Sequence, residues 1–202
     1  MHARTAAVLS LLLVMPGAGC AVTDPPAPAA TQTAAAENGV DHELLEGLGL
    51  DGLSGREIVD LLEARPDERP LPMTASVRED VVLVGDDTGE TAVPLPEDLF
   101  YVSVAPYAER THDCFHHSLA TCRGELVDHE LEITVTDASG QVVLEDVRAT
   151  GANGFAGLWL PRGIAGGTLA VTTDGRTGEV PLSTTAGSPT CVTTLQLGPA
   201  GD

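Results

Sequence analysis

The chain has 202 residues, of which 43% are hydrophobic and only 3% are aromatic. This length allows one sizeable core, or one core with a small appendage, built mostly from aliphatic side chains. The formal net charge is −20, and all ten basic residues are arginine, since the sequence contains no lysine. Nucleic acid and anionic lipid surfaces require a basic face, so this composition argues against both as partners and favours cations.

The first 20 residues are typical of a bacterial export signal. Arg4 supplies a short positive region, and the apolar run at 6–15 is too short to span a membrane. Small residues then lead to Cys20, which resembles a lipoprotein signal, where the cysteine becomes the lipidated first residue. The sequence therefore predicts a signal peptide over residues 1–20 with lipidation at Cys20, and ordinary secretion is the alternative.

Residues 21–40 are rich in proline, alanine and threonine and show no apolar periodicity. Such a composition predicts a disordered stalk that holds the folded part away from the membrane. The protein is therefore expected outside the cytoplasm, in the cell envelope, and it contacts the membrane only through the lipid anchor. Free thiols tend to be oxidised there, so unpaired cysteines in the folded part need an explanation.

Residues 41–72 predict a short helical segment. Ser54 and Glu57 have the spacing of a capping box, in which each side chain caps the backbone N–H of the other. Three apolar residues follow on one helix face, namely Ile58, Leu61 and Leu62. A connector rich in proline then ends the segment.

The period of the apolar residues changes to two at about residue 75, so residues 73–198 predict a β-rich domain. In the segment ELEITVT, Leu131, Ile133 and Val135 alternate with polar residues, as in a half-buried strand. Short runs bounded by turn residues predict strands at 81–84, 99–105, 130–136, 141–147, 155–161, 168–174, 176–184 and 191–197. The fold class expected is mainly β (α+β), an antiparallel β-sandwich of the immunoglobulin-like or transthyretin-like kind with a short helical N-terminal part.

A long connection between two predicted strands, residues 106–125, contains an unusual group of soft ligands. Its segment HDCFHHSLATC holds two cysteines and three histidines, namely Cys114, Cys122, His112, His116 and His117. A third cysteine, Cys191, opens the last predicted strand. Long loops in compact domains are more often functional than idle, so we expect the three sulfurs to converge at the rim of the sheet.

These residues fit three kinds of site. A structural disulfide can join any two of the three cysteines, and it leaves the third as an odd thiol. Thiols beside imidazoles also suit Cu(I) or Zn(II), whereas calcium and magnesium require oxygen ligands. Zinc would take the three sulfurs and one histidine, while Cu(I) is satisfied by two or three sulfurs. A nucleophilic cysteine–histidine pair is the weakest interpretation, because no oxyanion-hole glycine motif flanks the cysteines.

Three separated blocks of the sequence carry a family resemblance: LPEDLFYVSVAPYAERTHDCFHHSLATCRGEL (95–126), NGFAGLWLPRGIAGG (153–167) and TCVTTLQL (190–197). Together they resemble the CueP family of extracytoplasmic copper-binding proteins. The resemblance implies that the three copper-associated cysteines of the family fall on Cys114, Cys122 and Cys191. It also implies a role in copper tolerance, storage or delivery, and an N-terminal segment that takes part in a homodimer.

The leading hypothesis is a copper-binding protein, not an enzyme, that holds Cu(I) through its three cysteines, with zinc as the less favoured metal. The further candidate ligands are His112, His116 and His117, and the expected partners are the copper ion and a copper-recipient protein. One alternative is a thiol redox protein that reduces Cu(II) or exchanges disulfides, because two thiols supply two electrons on forming a disulfide. The other is a structural cell-surface module with an inert disulfide.

Overall fold

The computed structural model describes residues 39–200 of the chain. The predicted signal peptide, the lipidation candidate Cys20 and nearly all of the predicted stalk lie outside the described residues, so they stay predictions. Among the described helices, none has the length and apolar character needed to cross a membrane.

Two short helices open the described part, and each begins at a capping side chain. Helix α1 (His42–Gly47) follows Asp41, whose carboxylate accepts a backbone N–H of the first turn at 3.0 Å. Helix α2 (Gly55–Glu63) follows Ser54, and the predicted capping box is confirmed. Glu57 accepts the Ser54 N–H at 2.8 Å, and the Ser54 hydroxyl oxygen accepts the Glu57 N–H at 3.3 Å.

One face of α2 is buried, and it includes Ile58 and Leu62 as predicted from the sequence, but it excludes the predicted Leu61. Ile58, Val59 and Leu62 are all fully buried, whereas Leu61 is 47% exposed. Successive helical residues are separated by about 100°, and the buried stripe centres near Leu62, so Leu61 turns toward solvent. Glu63 lies four residues after Val59 and therefore sits beside it, at the edge of the buried stripe.

The described part of the chain contains eleven strands: β1 (Thr74–Val77), β2 (Val81–Gly85), β3 (Glu90–Pro94), β4 (Leu99–Val104), β5 (Glu130–Thr136), β6 (Val142–Ala149), β7 (Ala156–Pro161), β8 (Gly167–Thr173), β9 (Arg176–Leu182), β10 (Cys191–Val192) and β11 (Gly198–Pro199). They form three sheets, ordered β1-β2-β3, β10-β4-β7 and β11-β9-β8-β5-β6. All pairs are antiparallel except β10 with β4. The predicted mainly β fold with a short helical part is confirmed.

The β10-β4-β7 sheet and the five-stranded sheet share one apolar core, as two layers of a sandwich do. Its members come from the inner faces of both sheets and include Phe100, Val102, Leu131, Ile133, Val135, Leu158, Leu160, Leu169 and Val171. The alternation predicted for β5 is observed, because every second residue from Leu131 is buried. This core fixes the position of the β10-β4-β7 sheet against the five-stranded sheet.

Strand β4 is buried on both faces, which explains why its sequence LFYVSV is nearly continuously apolar. Tyr101 points away from the sandwich core and packs against Trp159 of β7, with ring centroids 4.9 Å apart. It joins a second core, which the two helices and the sheet β1-β2-β3 complete. Residues 73–198 were predicted to form the sandwich, whereas the first three strands pack with the helices because their valines share that second core.

The last predicted strand, 191–197, is shorter in the structure. Only Cys191–Val192 pairs with β4, and it places Cys191 opposite Ser103 in a parallel register. The chain then leaves this sheet, because Leu195 and Leu197 turn into the sandwich core. The position of Cys191 at the start of this short strand is as the sequence predicts.

Candidate metal centre

The cysteine-bearing segment 114–122 lies along strand β1 and is ordered by backbone pairing. The N–H of Val77 donates to the carbonyl of His117 at 2.8 Å, and the N–H of Leu119 donates to the carbonyl of Ala75 at 3.0 Å. These bonds fix a stretch that was predicted only as part of a long connection between strands. The side chains that it carries are therefore held in defined positions.

A buried arginine joins the same segment to helix α2. Arg69 is 3% exposed, and its guanidinium donates to the carbonyl oxygens of Leu119 and Leu62, each at 2.9 Å. It also donates to the carbonyl of Asp67 at 2.6 Å. A buried guanidinium is costly unless its N–H groups are satisfied, so these bonds fix the spacing between the end of α2 and the cysteine segment.

Strand β10 brings the C-terminal cysteine to the segment. The N–H groups of Thr190 and Cys191 both donate to the carbonyl of Phe115, at 3.0 and 3.2 Å. The Thr190 hydroxyl accepts the N–H of His117 at 3.0 Å and donates to the carbonyl of Val77 at 2.8 Å. One buried threonine thus ties together the first sheet, the cysteine segment and the last strand.

The three sulfurs meet at this junction. Cys114 and Cys191 form a disulfide, with Cα atoms 5.7 Å apart. Among the described cysteines, Cys122 is the free thiol; its sulfur lies 3.6 Å from that of Cys114 and accepts the N–H of Ser118 at 3.4 Å. The convergence that the sequence predicts is present, with one of the pairings that the sequence leaves open. The role of these sulfurs as metal ligands stays a prediction.

The adjacent histidines of the segment point in different directions. His117 is fully buried, and its Nδ1 lies 3.8 Å from the sulfur of Cys191. The ring of His116 turns instead to the guanidinium of Arg78 and packs edge-on against Phe115. Partial burial and the charge of Arg78 lower the pKa of His116. His116 therefore brings no ring nitrogen to the sulfurs in this structure.

A carboxylate of helix α2 holds the ring of His117. Glu63 Oε2 lies 2.9 Å from His117 Nε2. The same carboxylate accepts hydrogen bonds from the Tyr101 hydroxyl at 2.9 Å, and from the Ser103 hydroxyl and the Asn153 amide at 3.1 Å each. Because Nε2 faces the carboxylate, Nδ1 faces the sulfurs. Metal-binding histidines commonly have this arrangement, with the other ring nitrogen bonded to a carboxylate.

Glu63 and His117 stabilise each other's charged form. Burial alone would raise the pKa of Glu63, but the attraction of His117 and the donors around the carboxylate outweigh it and hold the pKa at about 2. Burial likewise disfavours the charged imidazole, but Glu63 and the nearby Cys122 raise the pKa of His117 to about 9. A metal bound at Nδ1 must therefore displace a proton.

Two sets of possible ligand atoms occur at the sulfurs, each with its atoms within 4.8 Å of one another. The outer group consists of His112, Cys114 and Cys122, and the inner group consists of His117, Cys122 and Cys191. The outer group includes an exposed histidine, whereas all three members of the inner group are buried. The sulfur of Cys122 belongs to both.

The two groups have different surroundings. Ala105 and Phe155 pack around the sulfurs, and the ring of Phe155 lies 4.5 Å from that of His117 and 6.2 Å from that of His112. On the solvent side, an open cavity of about 390 Å³ is lined by His112, Asp113, Cys114, Thr121, Cys122 and Arg123. The three cysteines therefore pack against apolar side chains, and two of them, Cys114 and Cys122, also line an open cavity.

The sequence profile of a family described as "Periplasmic copper-binding protein CueP" matches residues 57–196, which is more than half of the chain. The chain belongs to the CueP family. A crystal structure described as that of S.CueP is 39% identical to this chain with a TM-score of 0.74, and the match covers 78% of this chain and 96% of the other. Among curated proteins, none matches the chain.

Membership of the CueP family confirms the resemblance found in the sequence and supports the coarse function. The family is periplasmic and copper-binding, and it is not an enzyme family. The oxidation state of the metal and the individual ligands stay predictions.

Glu63 is a site residue of this CueP-family chain that was not predicted from the sequence, and it lies 54 positions before the histidine that it contacts. A signal was present, because an acidic residue four positions after a buried valine borders the apolar stripe of an amphipathic helix. Its partners Tyr101, Ser103 and Asn153 carry no comparable signal, since they come from a strand and a turn that only the fold brings to α2. They became recognisable only in the folded structure.

Proposed function

We propose that this protein binds copper as Cu(I) through the sulfurs of Cys114, Cys122 and Cys191, for copper tolerance, storage or delivery in the cell envelope. The observation that carries the proposal is the convergence of three sulfurs beside the buried imidazole of His117. Thiolates are soft ligands that select Cu(I), whereas oxygen ligands would be needed for calcium or magnesium. The copper-binding description of the family supports the same metal.

Copper binding by three sulfurs requires the reduced protein. Two of the sulfurs are joined in a disulfide, which is a poor donor, so two electrons and two protons from a thiol reductant must first convert it to two thiols. Thiols bind metal as thiolates, so copper binding then releases protons and weakens as the pH falls. The Cys114–Cys191 disulfide is thus the resting, oxidised form in this proposal.

A competition titration tests the ligand set. The reduced protein is titrated anaerobically against a chromophoric Cu(I) chelator, alongside the single variants Cys114→Ser, Cys122→Ser and Cys191→Ser. Each serine variant is expected to hold Cu(I) more weakly, because serine presents a hard, protonated oxygen in place of a thiolate. His129→Ala is the control, since His129 lines a different cavity. Serine variants that retain copper as well as the parent would overturn the ligand set.

A second candidate function is thiol redox chemistry on copper, and the disulfide beside a free thiol favours it. Two thiols would reduce two Cu(II) ions to two Cu(I) ions, forming one disulfide and releasing two protons. Anaerobic addition of Cu(II) to the reduced protein should then remove one thiol for each Cu(I) formed. If the thiol count stays constant, this activity is absent. The copper-binding family weighs against the third hypothesis, a module with an inert disulfide.

The anchor and the protein partners also belong to this proposal. The lipoprotein-like segment up to Cys20 supports attachment to the membrane through a lipid on that cysteine. Mass spectrometry of the membrane fraction should find a mature chain that begins at lipidated Cys20, and a soluble chain with another first residue would contradict the anchor. A copper-recipient protein and a homodimer stay predictions that rest on the family resemblance.

A further inference from the structure

The outer group is open to solvent. Its histidine, His112, is exposed, and it lines the same open cavity as Cys114 and Cys122. The ligand atoms of all three residues lie within 4.8 Å of one another. Asp113 and Arg123 place charges of both signs at the rim, while the net charge of −20 raises the local concentration of cations around the whole chain.

The inner group is buried, and its histidine is held by a hydrogen-bonded carboxylate. His117 has 0% exposure, Cys191 has 3% and Cys122 has 9%. Glu63 contacts Nε2 of the His117 ring at 2.9 Å, whereas the ring of His112 lies edge-on to Phe155 with 6.2 Å between ring centroids. A rigid, buried set of ligands loses less entropy on binding than an exposed, mobile one, and it keeps competing ligands and water away.

We infer that copper binds first to the outer group and then moves to the inner group, with Cys122 bound to it throughout. This inference rests on the proposed function. It adds two positions for one ion, a direction of transfer and separate roles for His112 and His117. The observation that carries it is the shared sulfur, because an ion held by Cys122 can exchange its other ligands without being released.

The transfer is a ligand exchange in which the oxidation state of copper does not change. In the reduced protein, His112 leaves the Cu(I) ion as Cys191 and His117 bind it, while Cys114 and Cys122 stay bound. The incoming thiol of Cys191 and Nδ1 of His117 each lose a proton to solvent, and Cys114 and Cys122 remain thiolates. The distance from Cys122 to Cys114, 3.6 Å between sulfurs, is short enough for the ion to stay bound to both during the exchange.

Rates and affinities measured together test the two positions. The full chain, reduced with a phosphine and kept anaerobic, is mixed rapidly with a Cu(I)–chelator complex, and the chelator absorbance gives both the loading rate and the final occupancy. The variants are His112→Ala and His117→Ala, with His129→Ala as a control on a separate cavity. We expect His112→Ala to slow loading about tenfold or more, a change larger than its effect on retention.

His117→Ala should do the opposite, with affinity reduced about 10- to 100-fold and a much smaller change in the loading rate. His129→Ala should match the parent protein in both measurements. Equal loading rates for His112→Ala and the parent protein would overturn the outer position. Equal losses of rate and affinity in both histidine variants would indicate one shared site and would also overturn the inference. If the reduced parent protein takes no copper from the chelator, the proposed function itself fails.

Discussion

Replacing Glu63 with glutamine removes one charge from a buried ion pair and keeps the shape of the side chain. The glutamine amide can still accept a hydrogen bond from His117 Nε2, and the Tyr101 and Ser103 hydroxyls can reorient around it. What is lost is the attraction between the carboxylate and the imidazolium, so the pKa of His117 falls, because burial is then opposed only by the nearby Cys122. The variant therefore isolates the electrostatic contribution of the pair to folding.

The pKa values give the size of this contribution. The pKa of His117 rises from 6.5 to about 9, and that of Glu63 falls from 4.5 to about 2. Each pKa unit corresponds to about 1.4 kcal/mol, so either shift indicates about 3 kcal/mol. The two shifts describe one attraction seen from its two partners and are counted once. The loss also agrees with the roughly 3–5 kcal/mol typical of breaking a buried pair.

Urea unfolding with the disulfide intact measures the effect, because urea does not screen charges as guanidinium salts do. Since folding raises the pKa of His117, the ion pair stabilises the folded state fully below pH 6.5. This stabilisation is lost as the pH rises through about 9. Since folding lowers the pKa of Glu63, the carboxylate stabilises the folded state fully above pH 4.5. This stabilisation is lost as the pH falls through about 2. Glu63→Gln should therefore be less stable than the parent protein by about 3 kcal/mol near pH 6, and the difference should shrink above about pH 9.

The matched control is Glu132→Gln, the same substitution at an exposed position of β5. It should change the free energy of unfolding by less than about 0.5 kcal/mol. The reasoning is refuted if Glu63→Gln costs no more than this control near pH 6. The reasoning is also refuted if the difference in free energy of unfolding between variant and parent protein is as large at about pH 10 as at pH 6. At about pH 10 His117 should be neutral, so the attraction to Glu63 should be absent.

Three further substitutions test other contacts of the fold. Ser54→Ala should cost about 1 kcal/mol in thermal or urea unfolding, because it removes the side-chain cap of α2. Arg69→Gln should cost about 3 kcal/mol and should speed hydrogen exchange at Leu119, because it removes charged donors to buried carbonyls. Gly154→Ala should cost about 2–4 kcal/mol, because Gly154 has φ +76° and an added Cβ would lie 2.7 Å from the backbone of Gly124. Unchanged unfolding midpoints would contradict each of these.

Features encoded locally were predictable from the sequence. The capping box of α2 depends on two residues three positions apart, and the alternation in β5 depends on seven consecutive residues. Both were therefore found without knowledge of the fold. Strands β1 and β3 were missed: β1 has only four residues, and β3 is rich in polar and small residues, so their apolar signal is weak. Their burial comes from packing with the helices, which no local pattern contains.

The candidate site was predictable in its residue types but not in its geometry. Three cysteines near histidines indicated a soft metal, yet the sequence left all three disulfide pairings open. The pairing depends on the parallel contact of β10 with β4, which places Cys191 beside the segment that carries Cys114. The division of roles among the histidines likewise depends on which ring meets Glu63, a contact between residues far apart in sequence.

X-ray absorption at the copper K-edge of the reduced, copper-loaded protein tests the central claim most directly, because it reports the oxidation state and the ligand atoms together. We expect an edge typical of Cu(I) and a nearest shell dominated by sulfur, which loses sulfur in the Cys122→Ser variant because Cys122 belongs to both groups. A Cu(II) edge under the same anaerobic conditions, or a shell of nitrogen and oxygen alone, would contradict it.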